Sequence, residues 1–100
     1  RKQEFESRYV HDQELRFRIE ARRNKLLGLW AAEKLGRSGA EADAYAMEVV
    51  KADLQKEGEE DVVAKVMADF TAAGVAQSEH QVRRRMSELL VEAESQVKSA

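Results

Sequence analysis

The chain of 100 residues contains no cysteine, no proline and only five glycines. Without cysteine it cannot form disulfides, a thiol nucleophile or a cysteine-ligated zinc or iron–sulfur site. Proline and glycine break helices, so their scarcity favours helical structure along the whole chain. The longest uninterrupted apolar runs, such as Leu29 to Ala32, are far too short to span a bilayer. These absences predict a single helical domain with no membrane-spanning segment.

Three of the five glycines mark the predicted ends of helices. Gly36, Gly58 and Gly74 each follow a helical pattern, and a left-handed glycine commonly ends a helix at such positions. Ser38–Glu41 and Ser78–Gln81 both match the capping-box pattern Ser-x-x-Glu/Gln. No stretch alternates with period two, so we expect no strands. The sequence therefore predicts four helices, near residues 1–35, 39–57, 60–73 and 79–98.

Apolar residues recur at helical spacing in each of these segments. The last segment shows the pattern most clearly, because its apolar residues follow one another at steps of three, four and one along one helical face. They are Val82, Met86, Leu89, Leu90, Ala93 and Val97. We therefore expect an all-α four-helix bundle in a single domain, residues 1–100.

The first helix is too long for such a bundle. At 1.5 Å per residue it would extend roughly 50 Å, against about 20–30 Å for the others. Gly28 is a possible hinge, but glycine between good helix formers is more often a close packing contact. We therefore expect the N-terminal half of this helix to project from the bundle or to fray.

Charge is distributed unevenly along the chain. Residues 1–37 carry ten basic and six acidic side chains, whereas residues 38–80 carry three basic and ten acidic ones. Such asymmetry indicates a binding preference rather than a requirement of the fold. The net charge of −2 conceals it.

Within residues 1–23 the apolar side chains do not share one helical face. Phe5, Tyr9, Leu15 and Ile19 lie together, and Val10 and Phe17 lie on the far side. One interpretation is a solvated helix with some aromatic packing. The other is a helix that uses these side chains as anchors in the groove of an external partner. The residues alone leave both open.

The side chains that usually carry catalysis are sparse, so we expect no enzyme and no metal site. His11 has no second histidine at helical spacing, and His80 lies beside Glu79 in the first turn of its helix, where a surface role is the default. There is no glycine-rich phosphate loop. Arg83, Arg84 and Arg85 are consecutive and point in three directions, so they form no basic face. Carboxylates interrupt the cluster of Arg16, Arg18, Arg22 and Arg23, which weakens a nucleic-acid interpretation.

The alternative, from another class of function, is a module that binds a small ligand. An adenine nucleotide could lie between helices, held by Arg22, Trp30 and Tyr45, since bundles do form sites between helices. Trp30 and Tyr45 are more simply core residues. The chain starts without an apolar signal segment, so we expect it in the cytoplasm.

Three stretches of the chain resemble the zeta subunit of the F-type ATP synthase of alphaproteobacteria. They are "HDQELRFRIEARRNKLLGLWAAEKLG" (11–36), "AYAMEVVKADLQKEGEEDVVAKVMADFTAAGV" (44–75) and "RRRMSELL" (83–90). The most specific is "NKLLGLWAAEKLG" (24–36). The resemblance covers nearly the whole chain.

The resemblance implies an all-helical inhibitor of ATP hydrolysis, monomeric when free, that lies at the inner membrane only through the ATP synthase. It implies that residues 1–20 form an inhibitory arm on a bundle of residues 21–100. The arm would insert into the catalytic head, near an interface of the alpha and beta subunits and the gamma rotor stalk. The inserting positions would be Phe5, Arg8, Tyr9, His11, Asp12, Glu14, Leu15, Phe17 and Arg18. Family members carry a short leader before this point, which the sequence lacks and which could strengthen inhibition.

Overall fold

Glycine and capping residues divide the chain into the helices that their spacing predicts. The computed structural model describes the backbone of residues 2–53 and 59–99, and side chains from Asp12 onward within those ranges. This part of the chain contains four α-helices and no strand. They are α1 (Lys2–Lys34), α2 (Gly39–Ala52), α3 (Glu60–Ala73) and α4 (Glu79–Ser99). The all-α prediction is confirmed, and the predicted end of the second helix, residues 54–57, lies outside the described residues.

Two of the helix ends use the same left-handed glycine cap. Gly36 and Gly74 have φ angles of +77° and +70°. In each case the next residue donates its backbone N–H to the carbonyl five residues earlier, Arg37 to Ala32 and Val75 to Phe70. This arrangement satisfies carbonyls that the helix end would leave unpaired. The glycine predictions at these positions are confirmed, and Gly58 lies outside the described residues.

The two predicted capping boxes have different outcomes. The Ser78 backbone N–H donates to Gln81 Oε1 at 2.9 Å, and the Gln81 N–H donates to Ser78 Oγ at 3.1 Å. This is the reciprocal pair that the pattern predicts. Ser38 precedes α2 with an extended backbone, but its side chain makes no capping hydrogen bond. The prediction at Ser38 is therefore wrong.

The core lies where α2, α3 and α4 pack against the second half of α1. Trp30 and Phe70 meet edge to face, with ring centroids 5.8 Å apart. Each helix contributes apolar side chains at helical spacing, and burial of this surface is the main stabilising contribution. The largest apolar side chains that are fully buried include Leu27, Tyr45, Val49, Val62, Val66, Phe70, Val82 and Met86.

Gly28 lies at the closest approach of α1 and α2. A Cβ atom at this position would lie 2.5 Å from the Cα atom of Ala46, which is closer than real side chains come. Glycine therefore lets the two backbones pack directly against one another. Gly28 is a packing contact and not a hinge, because α1 continues unbroken through it.

The unbroken α1 determines the shape of the molecule. Its 33 residues extend about 50 Å at 1.5 Å per residue. The longest dimension of the protein is 56 Å, and the other two are 25 and 21 Å. The other helices have 14, 14 and 21 residues, so α1 is much longer than the bundle that packs against it. The backbone of residues 2–34 is helical throughout, so the first half of α1 projects as a continuous helix, and whether it frays stays a prediction.

Candidate partner-binding surface on the first helix

Helix α1 consists of two segments with different environments. In residues 12–22, which we call the exposed segment, no side chain is buried, and only Leu15, Ile19 and Glu20 are half-buried. In residues 23–34, which we call the packed segment, burial begins at Arg23 and continues on the face that the other helices cover. The exposed segment is thus a helix that the bundle leaves largely accessible.

Phe17 is the large apolar side chain that the exposed segment presents to solvent. It is 68% exposed, whereas Asn24 and Ala31 are fully buried. These three residues are spaced by seven, which places them on nearly the same face of α1. Phe17 therefore continues the buried face of α1 into a part of the helix that the described residues leave mostly uncovered.

The length of α2 explains this exposure. A turn of four residues, 35–38, joins α1 to α2, and such a short connection makes neighbouring helices antiparallel. From Ala46, which faces Gly28, α2 continues only to Ala52, roughly 9 Å further. Phe17 lies eleven residues before Gly28, roughly 16 Å along α1. Helix α2 therefore ends before it reaches the level of Phe17.

A buried polar junction marks the boundary between the two segments. The Arg23 guanidinium donates to Glu59 Oε1 at 2.9 Å, and its Nε donates to Asn24 Oδ1 at 3.1 Å. The Arg23 side chain is 4% exposed and that of Glu59 is 51% exposed. Because Glu59 is the residue just before α3, this ion pair fixes α1 to the start of that helix. Removing Glu59 would leave a buried charge without a partner, which is strongly destabilising.

The sequence did not reveal this junction. It placed Arg23 with a surface cluster, because a sequence shows the charge but not the partner, which lies 36 residues away. One signal was available. Asn24 stands seven residues before Ala31 on an apolar face, and a polar residue at such a position often has a structural role. Its Nδ2 atom is buried and has no hydrogen-bond partner within the described residues.

The residues expected to insert into a partner fall into two groups. Asp12, Glu14, Phe17 and Arg18 are exposed, and Leu15 is half-buried. The side chains of Phe5, Arg8, Tyr9 and His11 lie outside the described residues. The described members occupy one continuous stretch of α1. Their role in binding stays a prediction.

The residues suggested for a nucleotide site are separated by their environments. Tyr45 is 1% exposed, and its hydroxyl donates to Asp69 Oδ2 at 2.8 Å. Trp30 is half-buried against Phe70. Arg22 belongs to the exposed segment, and its side chain faces solvent. Trp30 and Tyr45 thus pack in the core, as the simpler interpretation predicts.

Burial and neighbouring charged groups shift the pKa of Tyr45. Burial and the hydrogen bond to Asp69 raise the pKa of Tyr45 well above its usual value. Burial also tends to raise the pKa of Asp69, but the hydrogen bonds from Lys65 and Tyr45 outweigh it and hold this pKa below its usual value. Arg37 and Lys65 lie over the Tyr45 ring at 5.0 and 5.2 Å from its centroid. The network connects α2 with α3 and is structural.

Comparison with known proteins identifies the family. The family model described as ATPase inhibitor subunit zeta matches residues 1–96. The chain belongs to the ATPase inhibitor subunit zeta family. A structure solved by NMR in solution is similar, with 48% sequence identity and a TM-score of 0.76, over 85% of this chain and 96% of the other. A search of curated proteins gives no match.

The family assignment confirms the resemblance on the motifs of residues 11–36, 44–75 and 83–90. It places this zeta-family chain among inhibitors of ATP synthase. Among the described residues, no helix is both long enough and apolar enough to cross a membrane. No group of acidic or histidine side chains in the same part of the chain could hold a metal ion.

Proposed function

We propose that this zeta-family chain blocks ATP hydrolysis by inserting the N-terminal part of α1 into the catalytic head of the F-type ATP synthase. The site would lie near an interface of the alpha and beta subunits and the gamma rotor stalk. There the helix would obstruct rotation in the hydrolytic direction. The chain would act by binding alone, without catalysis of its own, in the cytoplasm at the inner membrane through the enzyme.

The observation that carries this proposal is the accessibility of the exposed segment. Its backbone is helical in the structure, so a partner has less conformational entropy to remove than from an unstructured segment. Phe17 is already exposed and requires no opening of the core, and exposed aromatic side chains are typical anchors of protein interfaces. The 68% exposure of Phe17 supports an anchor for a partner more directly than a merely solvated helix does.

The boundary at Arg23 separates the part of the chain proposed to bind from the part proposed to support it. Residues 1–20 would be the inhibitory arm, and residues 21–100 would be the bundle that presents it. Every side chain buried in the core lies after the arm, from Arg23 onward in the described residues. Loss of the arm therefore removes no buried side chain that the structure describes.

Deletion of residues 1–19 tests the proposal. We expect the shortened chain to lose inhibition of ATP hydrolysis by an alphaproteobacterial F-type ATP synthase, because the inserting helix is gone. Its cooperative unfolding transition should remain, because the core is intact. The measurements are ATPase rates against inhibitor concentration, and circular dichroism during thermal unfolding.

Deletion of residues 98–100 is the matched control, because Lys98 and Ser99 are exposed at the end of α4 and belong to neither the arm nor the core. This variant should inhibit like the full chain. Equal inhibition by the chain without residues 1–19 would contradict the proposed site. Amide hydrogen exchange on the full chain adds a second test, with faster exchange expected before residue 20 than in the core.

A further inference from the structure

The basic cluster of the first helix separates into paired and unpaired groups. Arg16 pairs with Glu20 at 3.5 Å, and Arg23 is buried with Glu59. Arg18, Arg22 and Lys25 are exposed, and none of the three forms an ion pair with any residue that the structure describes. Among the described residues, the structure thus leaves Arg18 and Arg22 of the arginine cluster unpaired, together with the neighbouring Lys25.

These three cations lie on one face of α1. Steps of four and three residues separate them, so at 100° per residue they fall within about 60° around the helix axis. They span about 10 Å along it. Arg18, Arg22 and Lys25 form what we call the basic stripe. It lies on the side of α1 away from Leu27 and Ala31, which face the core.

Among the described side chains of α1, none neutralises the basic stripe. Carboxylates neutralise a helical cation best at three or four residues' distance. Neither Arg22 nor Lys25 has an acidic residue at that spacing. Arg18 has Glu14 four residues earlier, yet the two form no ion pair in the structure. Like charges at this spacing repel one another, so the stripe is mildly unfavourable in the isolated chain.

Most other basic groups of the bundle are neutralised within it. Arg83 contacts both Glu60 and Glu79, at 2.8 and 3.2 Å. Lys65 contacts both Glu48 and Asp69. The acidic middle of the chain thus already uses several of its carboxylates internally. A second copy of this chain consequently has fewer free carboxylates to offer to the basic stripe.

We propose that the basic stripe is a docking surface for carboxylate side chains on an acidic protein surface of the partner enzyme. The proposal rests on the proposed function and extends it by naming the partner's chemistry. Three cations over about 10 Å are too few for a membrane surface, where clusters of four to eight are typical. They suit a small group of aspartate or glutamate residues. Residues 38–80 are strongly acidic. The electrostatic field of an acidic partner surface therefore repels the rest of the bundle and orients α1 toward the partner.

Charge reversal on the stripe tests the proposal in the full chain. Arg22→Glu should slow the onset of ATPase inhibition by about tenfold at low salt, because electrostatic attraction accelerates association. The onset of inhibition by this variant should also depend less on salt concentration than the onset of inhibition by the unmodified chain. The measurement is the rate of onset of inhibition of F-type ATP synthase across a salt series. Arg22→Lys keeps the charge and should retain most of the rate.

Arg84→Glu is the matched control. Arg84 is also an exposed helical arginine without an ion pair among the described residues, and its reversal changes the net charge equally. It should alter the rate less than twofold. Equal slowing by Arg22→Glu and Arg84→Glu would overturn the proposal, since only net charge would matter. Unfolding curves should show that all three variants fold.

Three further outcomes separate the hypotheses. If the isolated chain forms a salt-sensitive dimer that Arg22→Glu abolishes, the stripe binds a second copy, and the proposal fails. If deletion of residues 1–19 abolishes inhibition while Arg22→Glu leaves its rate unchanged, the stripe fails but the proposed function stands. If that deletion has no effect, the proposed function itself fails.

Discussion

The exposed segment and the packed segment of α1 belong to one continuous helix, yet different forces stabilise them. The packed segment buries Leu27, Ala31 and Ala32 among the other helices, so tertiary packing maintains its conformation. The exposed segment has good helix formers and the Arg16–Glu20 pair, but it buries no side chain. Helices without tertiary packing are only marginally stable in water.

This difference shows that the same secondary structure can serve two purposes. In the packed segment the helix is part of the core, and its side chains suit close packing. In the exposed segment the helix displays Phe17 and the basic stripe begins at Arg18. Stability and binding should therefore respond to mutations in separate parts of α1 and the bundle.

Two phenylalanines provide the strongest test of this separation. Phe70→Ala should lower the free energy of unfolding by about 3–5 kcal/mol, because Phe70 is fully buried and its loss leaves a cavity. Phe17→Ala should change it by less than about 0.5 kcal/mol, because Phe17 is mostly exposed. Urea unfolding followed by circular dichroism measures both.

Inhibition should show the opposite order. Phe17→Ala should weaken inhibition by about thirtyfold or more, the equivalent of about 2 kcal/mol for a buried aromatic anchor. Any effect of Phe70→Ala on inhibition should follow the unfolded fraction only. A large loss of stability in Phe17→Ala would show that the exposed segment is part of the core after all.

The packing of α1 on α2 provides a second test. Gly28→Ala should destabilise the fold by about 1–3 kcal/mol, because the new Cβ meets the Ala46 backbone and the helices must separate. Alanine favours an isolated helix by about 1 kcal/mol over glycine, so propensity alone predicts the opposite sign. Ala46→Gly should not rescue the variant, because the closest clash involves the Cα atom. Thermal unfolding measures the difference.

The reverse substitution in the exposed segment is the control. Ala21→Gly removes helix propensity at an exposed position without affecting the core. It should accelerate amide exchange in residues 12–22 and leave the global transition within about 0.5 kcal/mol. A more stable Gly28→Ala chain would mean that the two helices can separate at no cost.

Much of this architecture could be predicted because it depends on local sequence. The apolar spacing of α4, from Val82 to Ala93, and the glycine caps at Gly36 and Gly74 are local signals, and the structure confirms them. The failure at Ser38 is instructive. The same capping pattern forms at Ser78 but not at Ser38, so the pattern alone does not determine the hydrogen bond.

The candidate site could be predicted only in part. Helical spacing separated Phe17 from the other apolar residues of the first helix, and it is exposed. The Arg23–Glu59 junction depends on a contact between residues 36 positions apart, which no local pattern encodes. The pairing of Arg23 depends on this contact, unlike the local pair of Arg16 with Glu20. Long-range partners are therefore what the sequence leaves undetermined.

The smallest expected effect is the change in stability at acid pH that depends on Asp69 of α3. Because the pKa of Asp69 is lower in the folded chain than its usual value, its ionised form stabilises the fold. That contribution is complete above the usual aspartate range, near pH 4, and disappears as the pH falls through the lower folded value. We expect Asp69→Asn to lose about 1 kcal/mol at neutral pH and the deficit to shrink on acidification.

Urea unfolding of both chains between neutral and strongly acidic pH measures this deficit. Asp43→Asn is the control, because Asp43 is exposed on α2 and forms no ion pair among the described residues, so it should follow the unmodified chain. A deficit for Asp69→Asn that stays constant with pH would contradict the role of its charge. Inhibition at neutral pH should be unchanged in both variants, because each change lies in the bundle and leaves Phe17 and the basic stripe intact.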